Sequence, residues 1–188
     1  MTPTPTAPRQ TNRRVKPARS ATRAAAGPRV AIRPISPKDG KAFLSLVDAL
    51  ADYEKLPRPS PDAKRRLVRD CAGRKKKFEA LLAFSGGRPV GYAVFFETYS
   101  TFLARPTLYL EDLFVPPESR GLGIGLRLFR ACVALAKRRG CGRMDWTVLG
   151  WNTAAARFYR KLGASRMREW ELYRLTRKEF GPALRGRR

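Results

Sequence analysis

The stretch TLYLEDLFV (107–115) decides the fold, because a glycine-rich turn, RGLGIG (120–125), and the segment LRLFRACVALAKRR (126–139) follow it closely. Apolar and aromatic residues in the first stretch predict a strand. In the last segment the apolar residues recur at helical spacing, which predicts a helix packed against a sheet. Glycines at the junction let backbone NH groups approach a ligand, and a helix N-terminus attracts negative charge. The junction is therefore predicted to bind an anion, and a pyrophosphate fits it best.

A glycine-rich turn alone equally predicts a tight turn without a ligand, so its spacing must be compared with known phosphate sites. A P-loop requires a lysine after its last glycine, and Leu126 stands there. A dinucleotide-binding fold requires the spacing GxGxxG, which residues 120–125 lack. The sequence therefore excludes both of these nucleotide sites.

Strand and helix patterns alternate along the rest of the chain, without an internal repeat or a second domain. Gly86-Gly87 predicts a hairpin turn between two strands. These patterns predict an α/β (α+β) fold in which helices cover a mixed sheet. The predicted strands are 29–35, 78–85, 88–100, 107–115, 143–149 and 169–176, and the predicted helices are 43–50, 62–71, 122–139 and 152–162. The apolar face of the third helix is predicted to carry Leu126, Phe129, Val133 and Ala136, with Leu128, Cys132 and Leu135 beside it.

Both chain ends are predicted to lie outside the folded domain. Residues 1–28 are rich in Pro, Ala, Thr and Arg and contain neither aromatic nor acidic residues, so they bury too little apolar area to offset the entropy of ordering. We predict a disordered basic tail at 1–28, one domain at 29–180 and a basic tail at 181–188. An organelle transit sequence is the alternative for the first tail, but its prolines fit an amphipathic helix badly.

The charge balance is strongly basic, with 40 Lys and Arg against 15 Asp and Glu and a formal net charge of +25. Seven of these cations lie in the first 29 residues, which leaves +18 on the remainder. Because such a charge attracts polyanions, weak nonspecific nucleic-acid contact through the basic tail is expected. Nucleic-acid binding is therefore the alternative function, although no RNP, KH or zinc-knuckle pattern occurs.

Histidine is absent, and Cys71, Cys132 and Cys141 have no CxxC spacing. The sequence therefore predicts no metal site and reduced, mostly structural thiols. Without histidine, proton transfer requires a carboxylate, a tyrosine, a cysteine, a lysine or water. No apolar run approaches the roughly 18 residues of a membrane helix, so a cytoplasmic protein without membrane contact is expected.

Several ordered motifs together resemble the GNAT superfamily of N-acetyltransferases. Arg120-x-x-Gly123-x-Gly125 after a strand is similar to the coenzyme A pyrophosphate loop of that superfamily. The resemblance covers about residues 30–176 and implies a mostly antiparallel sheet whose splayed strands form an acetyl-CoA cleft. The motifs that resemble the spermidine/spermine and thialysine N-acetyltransferase branch are YLEDLFV (109–115), RGLGIG (120–125), WN (151–152), FY (158–159) and GA (163–164).

The resemblance implies acetyl transfer from acetyl-CoA to a primary amine of a small molecule. The backbone of 113–115 is expected to hold the acetyl carbonyl and the pantetheine, and that of 120–126 the pyrophosphate. Free NH groups aimed at the thioester oxygen stabilise the transition state by about 3–4 kcal/mol per donor. The cofactor-binding residues expected are Leu113, Phe114, Val115, Arg120, Gly121, Leu122, Gly123, Ile124, Gly125, Leu126, Asn152 and Ala155.

The helix that follows the WN motif carries the predicted general acid. One helical face is predicted to carry two alanines that permit close ligand approach. Its residues, at i, i+3, i+4 and i+7, are Asn152, Ala155, Ala156 and Tyr159. Phe158 and Leu162 are predicted to point to the core. The resemblance implies that Tyr159 protonates the departing thiolate of coenzyme A, while Asn152 is also a favoured helix N-cap.

The attacking amine must first lose a proton, because the ordinary pKa of a lysine-like amine, about 10.4, lies far above neutral pH. Glu111 is the predicted base, directly or through water, and Glu111 and Asp112 are both predicted to hold the ammonium group first. Apolar residues on both sides argue against a merely solvated Glu111. By the resemblance, the other substrate contacts are Tyr53, Glu54, Asp145, Trp146 and Thr147.

The net charge disfavours a polycationic substrate, which a strongly basic protein repels at long range. Thialysine and other amino-acid amines carry a compensating carboxylate and are preferred over di- and polyamines, with an aminoglycoside or a protein lysine left open. The resemblance also implies a homodimer. The C-terminal segment with Trp170, Leu172 and Tyr173 is predicted to contribute to the subunit contact.

Overall fold

A mixed, mostly antiparallel sheet forms the centre of the computed structural model, which describes residues 30–186. Its order is β1-β2-β3-β4-β5; the first four strands pair antiparallel, and β5 joins β4 in parallel. This architecture confirms the predicted fold class. The strands are β1 (Val30–Pro34), β2 (Glu79–Ser85), β3 (Arg88–Ser100), β4 (Arg105–Phe114) and β5 (Arg143–Asp145).

Neighbouring residues of each strand point to opposite faces of the sheet. Because both faces carry apolar side chains, helices cover both of them. On one face, α1 and α2 enclose a core that includes Phe43, Leu82 and Tyr92. On the other face, α3 packs its Leu128 against strand residues such as Phe95. The helices are α1 (Gly40–Glu54), α2 (Pro61–Ala72), α3 (Ile124–Arg138), α4 (Thr153–Lys161) and α5 (Arg177–Arg185).

The turn between β2 and β3 is the hairpin that the sequence predicts. Gly86 and Gly87 have φ angles of 54° and 80°, in the left-handed region that favours glycine. The four predicted helices also form, and Gly140 and Gly163 follow α3 and α4 with positive φ. Local sequence signals thus predict the elements from β1 to α4.

The prediction of a strand at 169–176 is wrong. Trp170 and Leu172 are 74% and 72% exposed, and no strand forms there. Alternating residues form a stable strand only when a neighbouring strand pairs with them, and none pairs here within residues 30–186. Helix α5 follows instead, across the predicted domain boundary at 180, and begins at a capping box made by Thr176 and Glu179. The strand predicted at 143–149 forms over only three residues, Arg143–Asp145.

Two side chains that were expected in the core are exposed. Val133 on α3 is 42% exposed and Leu162 after α4 is 37% exposed. A helical stripe of apolar residues is wide, and the position of the sheet decides which part of it is covered. The buried residues of α3 are Ile124, Leu128, Phe129, Cys132 and Ala136.

All three cysteines are free. Cys71 and Cys132 are buried, and burial raises the pKa of their thiols to about 11 and about 12. Both thiols therefore stay protonated at neutral pH, in agreement with the structural role predicted for them. The predicted tail at 1–28 lies outside the described residues. Within residues 30–186, no helix combines the length and the apolar character needed to cross a lipid bilayer.

Candidate active site

Strand β4 loses its second neighbour halfway along its length. Strand β5 pairs with β4 only at Thr107, Leu108 and Tyr109, whereas β3 stays paired with β4 up to Phe114. Over residues 110–114, the side of β4 that faces away from β3 has no strand partner among residues 30–186. Backbone groups on that side are available to a ligand. The predicted acetyl-binding residues 113–115 lie at the open end of this splay.

A β-bulge separates the two predicted carboxylates. Val94 faces Asp112 and Phe95 faces Leu110, so Glu111 is the extra residue on β4. Because a bulge breaks the alternation of a strand, Leu110 packs on the α3 side while Asp112 turns toward α1. Glu111 itself is exposed, which corrects the expectation that its apolar neighbours keep it from solvent. The two adjacent acids thus lie in different surroundings.

Asp112 is half-buried and is the less exposed acid of this pair. Its Oδ2 accepts a hydrogen bond of 3.3 Å from the hydroxyl of Tyr92. Burial, and then the charges of Glu111 and Glu54, raise the pKa of Asp112 to about 6. Burial also raises the pKa of Glu54.

The three acids Glu54, Glu111 and Asp112 lack an ion-pair partner in the described part of the chain. This is unexpected in a protein with 40 Lys and Arg and 15 Asp and Glu. Unpaired carboxylates close together disfavour their own ionisation, and a bound cation relieves the repulsion. The cluster is therefore suited to an ammonium group.

The glycine-rich turn presents backbone NH groups at the start of α3. Gly121 and Gly123 have φ angles of 79° and 72°, and an added Cβ at either residue would meet nothing within 4 Å. In the first backbone hydrogen bond of α3, the NH of Arg127 donates to the carbonyl oxygen of Gly123 at 3.1 Å. The NH groups of residues 124–126 precede this bond and have no partner inside the helix. A pyrophosphate fits this open, positively polarised turn.

Arg120 connects the turn to β4 and α1. Its Nε donates to the Val115 carbonyl at 2.9 Å, and its guanidinium lies 4.6 Å from the ring centroid of Tyr53. The Tyr53 ring also packs against Phe114 and Trp151, with centroids 6.0 and 5.6 Å away. A predicted cofactor residue and a predicted substrate residue are thereby in direct contact.

Tyr159 lies in an aromatic cluster formed by α3, α4 and Trp146, the residue that follows β5. Its ring centroid is 4.9 Å from that of Trp146, 5.6 Å from Phe129 on α3 and 5.1 Å from Phe158. Burial raises the pKa of Tyr159 well above its ordinary value, so the phenol stays protonated at neutral pH. The hydroxyl is therefore in the form that a proton donor requires. Among residues 30–186, no hydrogen bond joins Tyr159 to Glu111.

The N-terminus of α4 has the cap that the sequence predicts. Oδ1 of Asn152 accepts a hydrogen bond of 3.0 Å from the backbone NH of Ala155. Both residues are half-buried at the first turn of the helix that carries Tyr159. Asn152 therefore has a structural task whether or not it also contacts the cofactor.

The other predicted site residues have different surroundings. Asp145 on β5 forms an ion pair with Arg143 at 2.9 Å, so its carboxylate already has a cationic partner. Thr147 is exposed, Ile124 is buried in the core, and Leu122 is exposed on the glycine-rich turn. Of the predicted substrate contacts, Tyr53, Glu54, Glu111 and Asp112 therefore remain the stronger set.

Sequence reasoning missed Tyr92 and the support that Phe129 gives to Tyr159. Tyr92 belongs to the long strand β3, where period-two alternation assigns it only to a face of the sheet. Its partner on β4 depends on the register and the bulge, neither of which the pattern shows. Phe129 carries a clearer signal, because it lies on the apolar face of the predicted third helix, but its aromatic partners come from later elements.

Comparison with known proteins agrees with this geometry. Residues 44–164 match the model of the acetyltransferase (GNAT) family. Thialysine N-epsilon-acetyltransferase of Bos taurus is 35% identical over 164 residues, which cover 83% of this chain and 95% of that protein. Spermidine/spermine N(1)-acetyltransferase-like protein 1 of Homo sapiens is 31% identical over 159 residues, 79% of this chain and 23% of that protein.

The fold is also shared with solved acetyltransferases. The structure of an aminoglycoside N-acetyltransferase in complex with CoA has a TM-score of 0.68 at 20% identity, covering 81% of this chain and 98% of that chain. The family match and the curated relatives together confirm the resemblance that the sequence motifs indicate. The chain therefore belongs to the acetyltransferase (GNAT) family and is an acetyl-CoA-dependent N-acetyltransferase.

Proposed function

We propose that this enzyme acetylates a primary amine of an amino-acid-like small molecule, with thialysine as the first candidate. The observation that carries the proposal is the cluster of Glu54, Glu111 and Asp112, three acids without a described ion pair beside the open end of β4. These acids suit the ammonium group. The basic remainder of the chain favours a substrate that also has a carboxylate. The name of the bovine relative supports the same class.

In the proposed reaction, the neutral amine nitrogen attacks the acetyl carbonyl carbon, a C–N bond forms and the C–S bond breaks. Glu111, directly or through water, accepts the ammonium proton, and its exposure lets it pass that proton to solvent. Tyr159 donates its hydroxyl proton to the leaving thiolate, and the second proton that the attacking nitrogen loses restores the hydroxyl through water. Free NH groups at 113–115 stabilise the oxyanion.

A panel of amines tests the substrate class. Thiol release from acetyl-CoA is measured with thialysine, lysine, spermidine, a short diamine and an aminoglycoside. We expect the highest kcat/KM for an amino-acid amine, since only that class matches both the acidic cluster and the basic surroundings. A higher kcat/KM for spermidine than for every amino acid would overturn the preference.

Gly121→Ala tests the proposed pyrophosphate turn. The left-handed backbone at Gly121 disfavours any side chain by about 1–2 kcal/mol, so the KM for acetyl-CoA is expected to rise about tenfold. Gly87→Ala is the matched control, because Gly87 has nearly the same φ, 80° against 79°, and equally open space in a distant hairpin. Initial rates at varied acetyl-CoA measure both variants. Equal KM values for the two would contradict the assignment.

We also propose a homodimer in which the exposed C-terminal segment packs against a second copy. Trp170, Leu172 and Tyr173 leave large apolar surfaces uncovered, and β5 is an edge strand. Light scattering after size-exclusion chromatography is expected to show a dimer, and the double variant Trp170→Ser/Leu172→Ser is expected to be monomeric. A monomeric wild type would refute this proposal.

Cytoplasmic location and weak nucleic-acid contact through residues 1–28 stay predictions.

A further inference from the structure

We propose that Tyr92 is a positioning residue for the acceptor amine and acts by orienting the carboxylate of Asp112. This inference rests on the proposed function and adds a residue that the reaction scheme does not use. The ring of Tyr92 is completely buried, with the rings of Phe43 and Phe114 at centroid distances of 5.6 and 6.2 Å. Its hydroxyl is thus held rigidly against the side of β4 that faces α1.

The register of the sheet brings the two groups together. Tyr92 faces Phe114 across the ladder, so Asp112 is its diagonal neighbour on the same face. The bulge at Glu111 is essential to this arrangement. In a regular strand without the bulge, Leu110 and Asp112 would lie two residues apart on one face, and Asp112 would point to the α3 side, where Leu110 packs in the core.

The hydrogen bond gives Asp112 a fixed orientation. Within residues 30–186, Tyr92 is the only hydrogen-bond donor to Asp112, and it occupies Oδ2. Oδ1 has no hydrogen bond in the same part of the chain, so it is left for a ligand. Tyr92 itself stays protonated, because burial and the charge of Asp112 raise its pKa well above the ordinary value. The phenol therefore donates permanently and does not compete with a bound ammonium.

The hydrogen bond also keeps Asp112 ionised in unfavourable surroundings. The groups that act on its charge are Glu111 on the same strand, Glu54 on α1 and Tyr92 on β3. Burial and the two glutamates raise the pKa of Asp112 to about 6, and the Tyr92 hydroxyl opposes them. Only the ionised carboxylate attracts an ammonium group. Binding of the amine is therefore expected to weaken as the pH falls through about 6.

Tyr92→Phe isolates this effect, because it keeps the ring and its packing and removes only the hydroxyl. At pH 7 we expect the KM for the amine to rise about tenfold, because a charge-assisted hydrogen bond is lost. The KM for acetyl-CoA should stay the same. The acid limb of the pH profile of kcat/KM for the amine should move to higher pH, since the variant raises the pKa of Asp112. Tyr109→Phe on β4 is the control and should change none of these values.

A double variant separates positioning from packing. In an Asp112→Asn background, Tyr92→Phe is expected to cause no further rise in the KM for the amine, because both act through one contact. Additive effects, or an unchanged KM in Tyr92→Phe, would overturn the inference.

Titration of the Asp112 carboxyl carbon by ¹³C NMR, in wild type and Tyr92→Phe, tests the hydrogen bond without any catalysis. If Asp112 titrates at the same pH in both proteins, the role of Tyr92 is refuted and the proposed function is not. A wild type that acetylates no amine refutes the proposed function instead.

Discussion

Tyr159→Phe is expected to lower kcat about 10²-fold or more, while the KM for acetyl-CoA changes little. The substitution keeps the ring that packs against Trp146 and Phe129, so the local structure is retained. It removes the only proton that this side chain can supply to the leaving thiolate. Thiol release at saturating acetyl-CoA and amine measures the change.

Tyr99→Phe is the matched control for this experiment. Tyr99 is 65% exposed near the end of β3, and removing its hydroxyl should leave kcat unaltered. Unchanged turnover in Tyr159→Phe would reject Tyr159 as the general acid. Burial raises the pKa of Tyr159, so Tyr159 does not lose its proton at moderately alkaline pH. Any decrease of kcat that the wild type shows in that pH range is therefore expected in Tyr159→Phe as well.

Phe129→Ala is expected to lower the free energy of unfolding by about 3–5 kcal/mol and also to lower kcat of the folded enzyme. Phe129 is 7% exposed, and its ring packs against those of Trp146, Phe158 and Tyr159. Its loss leaves a cavity beneath the proposed acid, so Tyr159 is no longer held in one position. Urea denaturation gives the stability, and turnover is measured where the variant is fully folded.

Phe95→Ala provides the comparison, since Phe95 is 1% exposed in the same core and has no aromatic contact with Tyr159 among the described residues. We expect a similar loss of stability with kcat retained. If both variants lose kcat equally, the special role of Phe129 is refuted. Should the alanine variants fail to fold, Phe129→Leu and Phe95→Leu make the same comparison at a smaller cost in stability.

Short-range patterns in the sequence were enough to predict the elements from β1 to α4. Helical spacing, the Gly86-Gly87 turn and the glycine-rich turn all act within a few residues, so one sequence contains the whole signal. The candidate site follows partly from the same signals. Gly121 and Gly123 have the left-handed backbone expected of a ligand-binding turn, and Asn152 caps its helix.

The carboxylates show where such patterns stop. Glu111 and Asp112 are adjacent in sequence and were given similar roles, yet Glu111 is exposed and Asp112 is half-buried against α1. The difference comes from a bulge, and a bulge is defined only when a second strand supplies the register. Tyr92 was missed for the same reason.

The sequence by itself determined the strand, glycine turn and helix at 107–139, the order of the elements up to α4 and membership of the acetyltransferase family. Only the tertiary structure decided the separation of β4 from β5, the partial burial of Asp112 and the absence of a strand at 169–176. The physical reason is that strands, unlike helices, complete their hydrogen bonds with distant segments. Which segments meet, and in which register, depends on the packing of the whole sheet.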